Sequence, residues 1–337
     1  MGVTTMEQGQ PKQASIKALM ELVSGDMERV NNRILSMAGS HVELIPEIAQ
    51  YLIDSGGKRL RPMLTLAFAQ MFGYEGEGHV KLAACVEFMH TATLLHDDVV
   101  DESDMRRGKA AARKLWGNQA SVLVGDYLLG QSFKMMVEVG SLEALRILAD
   151  ASAVIAEGEV LQLDAAQDVG TTEEMYMRVI EAKTAALFAA ACEVSPEIAE
   201  ESDGIRAACR KYGMDLGLAF QLVDDALDYG GSAKDLGKDI GDDLREGKIT
   251  LPVVYALARG DDEDRAFWKR CLEEHDVREG DLEHAIALLK KTGALADTIA
   301  RAKEFGASAK AALAPLPEGV VKDALAEAVD FCIARVV

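Results

Sequence analysis

The chain has 337 residues, with Lys+Arg 36 against Asp+Glu 56, so its formal charge is 36 − 56 = −20. An apolar fraction of 49% over that length can fill a sizeable core, which excludes disordered and collagen-like classes. So acidic a balance offers no basic face to a duplex, which argues against nucleic acid as a partner and means that any phosphorylated ligand must be met by local cations.

In chain order, residues 1–14 are polar with Gly and Pro and read as a flexible tail, with residues 15–337 as a single all-α domain. From Ser15 to Ala38, apolar residues at Ile16, Leu19, Met20, Val23, Met27, Val30, Ile34 and Met37 recur at three and four, which predicts one amphipathic helix. Asp54 to Pro62 reads as a loop carrying Lys58, Arg59 and Arg61, with Pro62 in the first turn of the next helix, where its missing N–H costs nothing. Helical periods then run from Pro62 to about Phe72, Gly78 to Val100, Gln119 to Gly140, Leu142 to Ala165, Thr172 to Cys192, Ser202 to Asp228 and Pro252 to Ala258. Ser121 to Phe133 and Ala182 to Ala191 are apolar nearly all round, so they are expected to be central helices of one large bundle. The acidic run Asp261-Asp262-Glu263-Asp264 follows a glycine and reads as a capped helix start. His41, His79, His275 and His284 stand in polar contexts and read as surface residues.

The five cysteines (Cys85, Cys192, Cys209, Cys271, Cys332) form no CxxC pair, which predicts reduced thiols in the core of a cytoplasmic protein. The N-terminus lacks a signal-peptide pattern, and no run of about 18 apolar residues occurs, so no membrane span is expected.

Two segments have the form DDxxD: Asp97-Asp98-Val99-Val100-Asp101 and Asp224-Asp225-Ala226-Leu227-Asp228. On a helix, residues four apart share a face, so Asp97 with Asp101, and Asp224 with Asp228, each aim two carboxylates in one direction and need something positive to offset their repulsion. Each motif ends a strongly apolar run, which favours metal binding over a merely solvated acidic end. All-oxygen ligands suit magnesium, which takes one or two carboxylates together with substrate phosphates. Arg106-Arg107-Gly108 follows the first motif, and Lys238, Arg245 and Lys248 in a glycine-bearing tract follow the second. Arginines hold phosphates bidentately and glycines admit backbone N–H groups, so a diphosphate held through magnesium is the economical reading.

GGKRLRP (Gly56 to Pro62), LLHDDVVDESDMRRG (Leu94 to Gly108), WGNQASVLVGDYLL (Trp116 to Leu129), IAEGEVLQL (Ile155 to Leu163), Lys183-Thr184, FQLVDDALDY and GKDIGDDLREGKITLP together resemble the trans-polyprenyl diphosphate synthases. The wording is closest to the long-chain branch that makes octaprenyl, nonaprenyl or decaprenyl diphosphate for quinone side chains. The resemblance implies an all-α bundle around a deep cavity, a homodimer, and aspartate motifs facing one another across the cavity mouth. It implies that isopentenyl diphosphate and an allylic diphosphate are the substrates, and that magnesium, about three ions per site with substrate bound, is the cofactor. On it, Asp97, Asp98, Asp101, Asp224, Asp225 and Asp228 hold the metal. Arg106, Lys183, Lys238 and Lys248 hold the allylic diphosphate, while Lys58, Arg61, His90 and Arg107 hold isopentenyl diphosphate. Thr184 and Gln221 stand near the developing allylic cation. The tract Lys109 to Leu115 (KAAARKL) departs from the family, which commonly has Pro-Thr there.

The resemblance also places product length on the cavity wall: Met89, Ala92 and Thr93 lie before the first motif, and the small Ala92 and Thr93 leave the tunnel open. Phe133, Met135 and Met136 are floor candidates. Glu87-x-x-His90 fits half of a di-iron carboxylate site, but no second ExxH accompanies it. A terpene cyclase would carry a different second metal motif, a short-chain synthase would block the tunnel, and a non-catalytic subunit of a heteromeric synthase would have lost motif residues. A long product must leave the cavity, so peripheral release to a bilayer is an expectation as well.

Overall fold

The computed structural model describes residues 14–165, 168–230 and 240–336. The expected all-α bundle is what it contains. Its first helices are α1 (Lys17–Leu22), α2 (Ser24–Ala38), α3 (Leu44–Asp54), α4 (Leu60–Met71) and α5 (Gly78–Val100). A hairpin of β1 (Met105–Arg106) and β2 (Lys109–Ala110) leads into α6 (Ala112–Val139) and α7 (Leu142–Ala165). After α8 (Glu173–Ile180) comes a π-helical turn at Glu181–Ala185, then α9 (Ala186–Ile198) and α10 (Asp203–Gly230). The remainder is α11 (Asp242–Arg245), α12 (Leu251–Arg259), α13 (Asp262–Leu272), α14 (Asp281–Lys291), α15 (Ala294–Ala312), α16 (Val320–Ile333) and a 3₁₀ turn at Ala334–Val336.

The single helix expected over Ser15 to Ala38 is broken at Val23, which leaves helical geometry at φ −102° and ψ 8°. Ser24 explains the break: its hydroxyl donates to the Glu21 carbonyl at 3.0 Å, and Gly25 beside it lowers helix propensity further. The Asp261 capping box forms as expected, its carboxylate accepting from the Asp264 N–H at 2.9 Å. His79 corrects the surface reading. It is 6% exposed, with Nε2 at 3.2 Å from Asp26 and its ring edge-on to Tyr74. All five cysteines are free and buried.

Of the two segments expected to be central, one is. Residues 185–192 at the start of α9 are buried at every position, and α9 packs against α4, α5, α7 and α10. Glycines let α10 close on it: a Cβ on Gly213 would stand 2.4 Å from the Phe188 carbonyl, and one on Gly217 would stand 2.7 Å from the Ala185 Cα. The other segment, Ser121 to Phe133, is only half interior, because Val122, Leu123 and Phe133 are exposed. A helix with apolar residues all round reads as buried when one apolar side in fact faces outward. Among the described residues, no helix is long and apolar enough to cross a membrane.

Candidate active site

Both aspartate motifs lie where the sequence puts them, Asp97 to Asp101 at the C-terminal end of α5 and Asp224 to Asp228 near the end of α10. Helix C-termini disfavour anions, so two carboxylate clusters there raise the local cost of charge. Three basic side chains offset it. Lys183, on the π turn, lies 3.8 Å from Asp97 and 2.7 Å from Glu159 of α7. Lys248, after α11, lies 2.8 Å from Asp101 and 2.7 Å from Glu246. Arg106 donates from Nε to Asp98 Oδ1 at 2.6 Å.

These contacts gather remote pieces of chain around the α5 end. The π turn carrying Lys183 and Thr184 is pressed against α7, where a Cβ on Gly158 would stand 2.7 Å from the Ala182 Cβ. Such turns occur often at functional sites because they re-aim side chains out of helical register. Thr184 donates to Gln221 at 2.9 Å, and Gln221 Nε2 donates to Asp225 Oδ1 at 2.9 Å, so one run of contacts joins the π turn to the second motif. Asp225 is 3% exposed and also accepts from the Tyr176 hydroxyl of α8. Asp228 is fully buried and accepts from the Asp243 N–H at 3.1 Å. Asp224 pairs with Arg335 of the C-terminal turn at 2.6 Å.

The electrostatics follow from this packing. Burial pushes the Asp98 carboxyl above its usual range despite Arg106. Burial also works against the Asp101 charge, but Lys248 outweighs it and holds that carboxyl low. Lys248 is correspondingly held above its usual value by Asp101 and Glu246, again against burial. Burial, with Asp97 adding to it, raises Glu159; burial and then Asp243 raise Asp225.

Of the residues implied for isopentenyl diphosphate, Arg61, His90 and Arg107 lie near one another, while Lys58 has Arg335 and Asp224 as its charged neighbours. Lys58 Nζ lies 5.2 Å from the centre of the Phe331 ring, and the Arg61 guanidinium lies over Phe188 at 4.1 Å. Arg61 Nε is buried without a hydrogen-bond partner, and burial brings its pKa down to about 10. His90 faces the same arginines, and burial together with Arg61 and Arg107 pushes its imidazole well below the ordinary value, so it stays neutral. Arg107 follows Arg106 in the hairpin turn, where Arg107 and Gly108 both have positive φ, as a type I′ turn requires, and it donates to the Gly56 carbonyl. Lys238 lies outside the described residues.

Of the wall residues, Met89 and Ala92 are 1% and 2% exposed in the main core, and Thr93 donates to the His90 carbonyl at 2.8 Å. Met135 and Met136 are buried in that core as well. Phe133 is not an interior residue of this chain. It is 39% exposed, because it shares its helix side with the outward-facing Val137 four residues on.

Sequence reasoning missed Tyr176, Arg335 and the roles of Glu159 and Arg59. Glu159 lay inside a quoted motif, but its pairing with Lys183 depends on a π turn that no local signal announces. Tyr176 and Arg335 are single residues in ordinary surroundings, joined to the second motif only by the fold.

Two acidic helix ends with flanking cations, set in an all-α bundle, define a diphosphate-handling enzyme of the isoprenoid type. The polyprenyl synthetase family model matches residues 42–289, and the chain belongs to that family of prenyltransferases. It is 47% identical over 315 residues to the octaprenyl diphosphate synthase of Escherichia coli strain K12, a match covering 92% of this chain and 96% of that one. It superposes with TM-score 0.93 on a polyprenyl synthase from Caulobacter crescentus CB15 complexed with calcium and isoprenyl diphosphate, 48% identical, over 97% of this chain and 100% of that one. A decaprenyl diphosphate synthase from Rhodobacter capsulatus gives TM-score 0.92 at 51% identity, over 96% of this chain and 100% of that one.

Proposed function

We propose that the protein condenses isopentenyl diphosphate head-to-tail onto an allylic diphosphate with magnesium, giving an all-trans polyprenyl diphosphate of octaprenyl to decaprenyl length for a quinone side chain. The observation that carries this is the meeting of Asp97, Asp101, Lys183 and Lys248 at one helix end, joined through Thr184 and Gln221 to the second motif. Long-chain names among similar proteins support the product class.

The residues fit a magnesium-held diphosphate. Every acidic donor is a carboxylate oxygen, and Asp98 Oδ2 is buried with no hydrogen-bond partner, a placement that a nearby cation would stabilise. Magnesium ordinarily takes one or two carboxylates together with substrate phosphate oxygens, a coordination this donor set suits. Asp97, Asp98 and Asp101 on one side and Asp224, Asp225 and Asp228 on the other would hold the ions. Magnesium bound there would neutralise the charge left on the departing diphosphate.

The chain's own groups do the rest. Arg106, Lys183 and Lys248, with Lys238 of the same tract, bind the allylic diphosphate and favour its departure, because fixed cations interact more strongly with the separating charge than with the intact ester. Lys58, Arg61, Arg107 and neutral His90 fix isopentenyl diphosphate so that its double bond meets the allylic carbon. Thr184 and Gln221, hydrogen-bonded to each other, stand beside the developing cation, and the apolar walls exclude water. The proton lost afterwards can pass to the released diphosphate, so no protein nucleophile is needed. The expected result is that labelled isopentenyl diphosphate is incorporated only with a divalent metal, and that EDTA stops incorporation until magnesium is added back. Incorporation that continues in EDTA would contradict the reading.

We also propose that residues 15–337 form one domain and that the protein works as a cytoplasmic homodimer. Leu123, Phe133 and Val137 on α6 and Leu142, Val160 and Leu163 on α7 are exposed apolar side chains on two consecutive helices, the kind of surface that a partner covers. A second copy of the chain covers this face. The double variant Leu123→Asp with Val160→Asp is expected to elute at monomer size in gel filtration, whereas an unchanged elution volume would remove this face from the interface.

A further inference from the structure

The ExxH on α5 fits no metal site, yet its glutamate is buried in the functional region. Glu87 is 6% exposed and lies one turn before His90. A carboxylate so placed is costly unless paired. Its partner is Arg59, whose Nη1 lies 2.5 Å from Glu87 Oε1.

The loop explains the choice of partner. Arg59 has a left-handed backbone at φ 49° and ends the glycine turn of Gly56 and Gly57, so the three loop cations leave in three directions. Lys58 and Arg61 lie over aromatic rings, with no carboxylate partner among the described residues. Only Arg59 is committed to a carboxylate. Arg107 leans on the same turn from the other side: it donates to the Gly56 carbonyl, and a Cβ on Gly57 would stand 2.7 Å from its Nη1. Arg59, Glu87, Asp98, Arg106 and Arg107 line a single hollow between α3, α5 and the hairpin. Burial pushes the Glu87 carboxyl above its usual range, and Arg59, then Arg61 and Arg107, act in the other direction to favour its charge, so it is the carboxylate that these three cations share.

We propose that Glu87, through Arg59, is a positioning residue for the isopentenyl diphosphate site. It anchors the Gly56–Arg59 turn, and with it Lys58, Arg61 and Arg107, in the arrangement that receives a diphosphate. The inference rests on the reading that these cations hold isopentenyl diphosphate. Because the strut engages Arg59 alone, the N–H groups of Arg61 remain available to a ligand. Because its carboxylate faces Arg59, Arg61 and Arg107 together, it offsets the mutual repulsion of three cations.

The test measures KM for isopentenyl diphosphate and for farnesyl diphosphate separately, with kcat and melting temperature, in the wild type, Glu87→Gln, Arg59→Gln, the double variant and Arg107→Gln. Either single strut variant is expected to raise the isopentenyl KM at least about tenfold, leaving the farnesyl KM and kcat within about twofold, and the double variant is expected to be no worse than the worse single. If Glu87→Gln does not fold, Arg59→Gln, at the loop end of the pair, makes the same comparison. An unchanged isopentenyl KM in the strut variants while Arg107→Gln raises it would overturn the positioning role alone. Equal rises in both KM values with a fallen melting temperature would reduce Glu87 to a structural residue. If Arg107→Gln leaves the isopentenyl KM unchanged, the site reading fails and takes this proposal with it.

Discussion

Asp97→Ala and Asp224→Ala are each expected to abolish elongation in magnesium while the far-UV circular dichroism of the bundle is unchanged. Losing one partner of developing transition-state charge costs on the order of 10²- to 10³-fold, and a lost metal ligand should cost at least that. These two aspartates are the informative ones. Asp97 pairs with Lys183 at a long 3.8 Å, and Lys183 retains Glu159 at 2.7 Å when Asp97 is gone. Asp224 lies at the surface side of α10, against Arg335, with 34% of its side chain exposed. Removing either relieves like-charge repulsion within its motif, and the contact that Asp224→Ala takes from Arg335 lies at the C-terminal turn, so the bundle is expected to stand, with circular dichroism as the control. Asp98, Asp225 and Asp228 are each 3% exposed or less, and losing one of them would mix catalysis with packing. Substantial turnover in either alanine variant, read by isopentenyl incorporation, would remove the metal roles.

Ala92→Phe is expected to convert the product to a short prenyl diphosphate. Ala92 is 2% exposed and lies five residues before Asp97; on the proposal that it walls the path of the growing chain, a ring there shortens that path. Overfilling a packed site costs about 1–3 kcal/mol, which a bundle of this size can absorb, so the variant should fold and make its first condensations. Chromatography of the dephosphorylated products reads the outcome directly. An unchanged distribution would show that Ala92 does not line the path of the growing chain.

What the sequence made legible was whatever is encoded within about one helical turn. The DDxxD spacing, the Asp261 capping box and the bounds of α5 and α7 are local, and the structure has them where the spacing puts them. The neighbours of the site are long-range and were not legible. Tyr176 meets Asp225 across 49 positions, and Lys248 meets Asp101 across 147. The break at Val23 came from a serine hydroxyl taking a backbone carbonyl, which hydrophobic period does not register. Phe133 lies on an outward face for a related reason: apolar character says that a side chain avoids water, but not whether it does so inside its own chain or against another surface. His79 erred in the other direction, because Asp26 and Tyr74, which shelter it, lie on other segments.

The most direct measurement incubates the purified protein with magnesium, farnesyl diphosphate and labelled isopentenyl diphosphate, dephosphorylates the products and reads their lengths by reversed-phase chromatography. A product at octaprenyl to decaprenyl length is the predicted result, and it would establish head-to-tail transfer and an open path past Ala92 and Thr93 together. A stop at geranylgeranyl length would keep the chemistry and contradict the long-chain assignment, and no incorporation at all would contradict the assignment of these aspartates and cations to prenyl transfer.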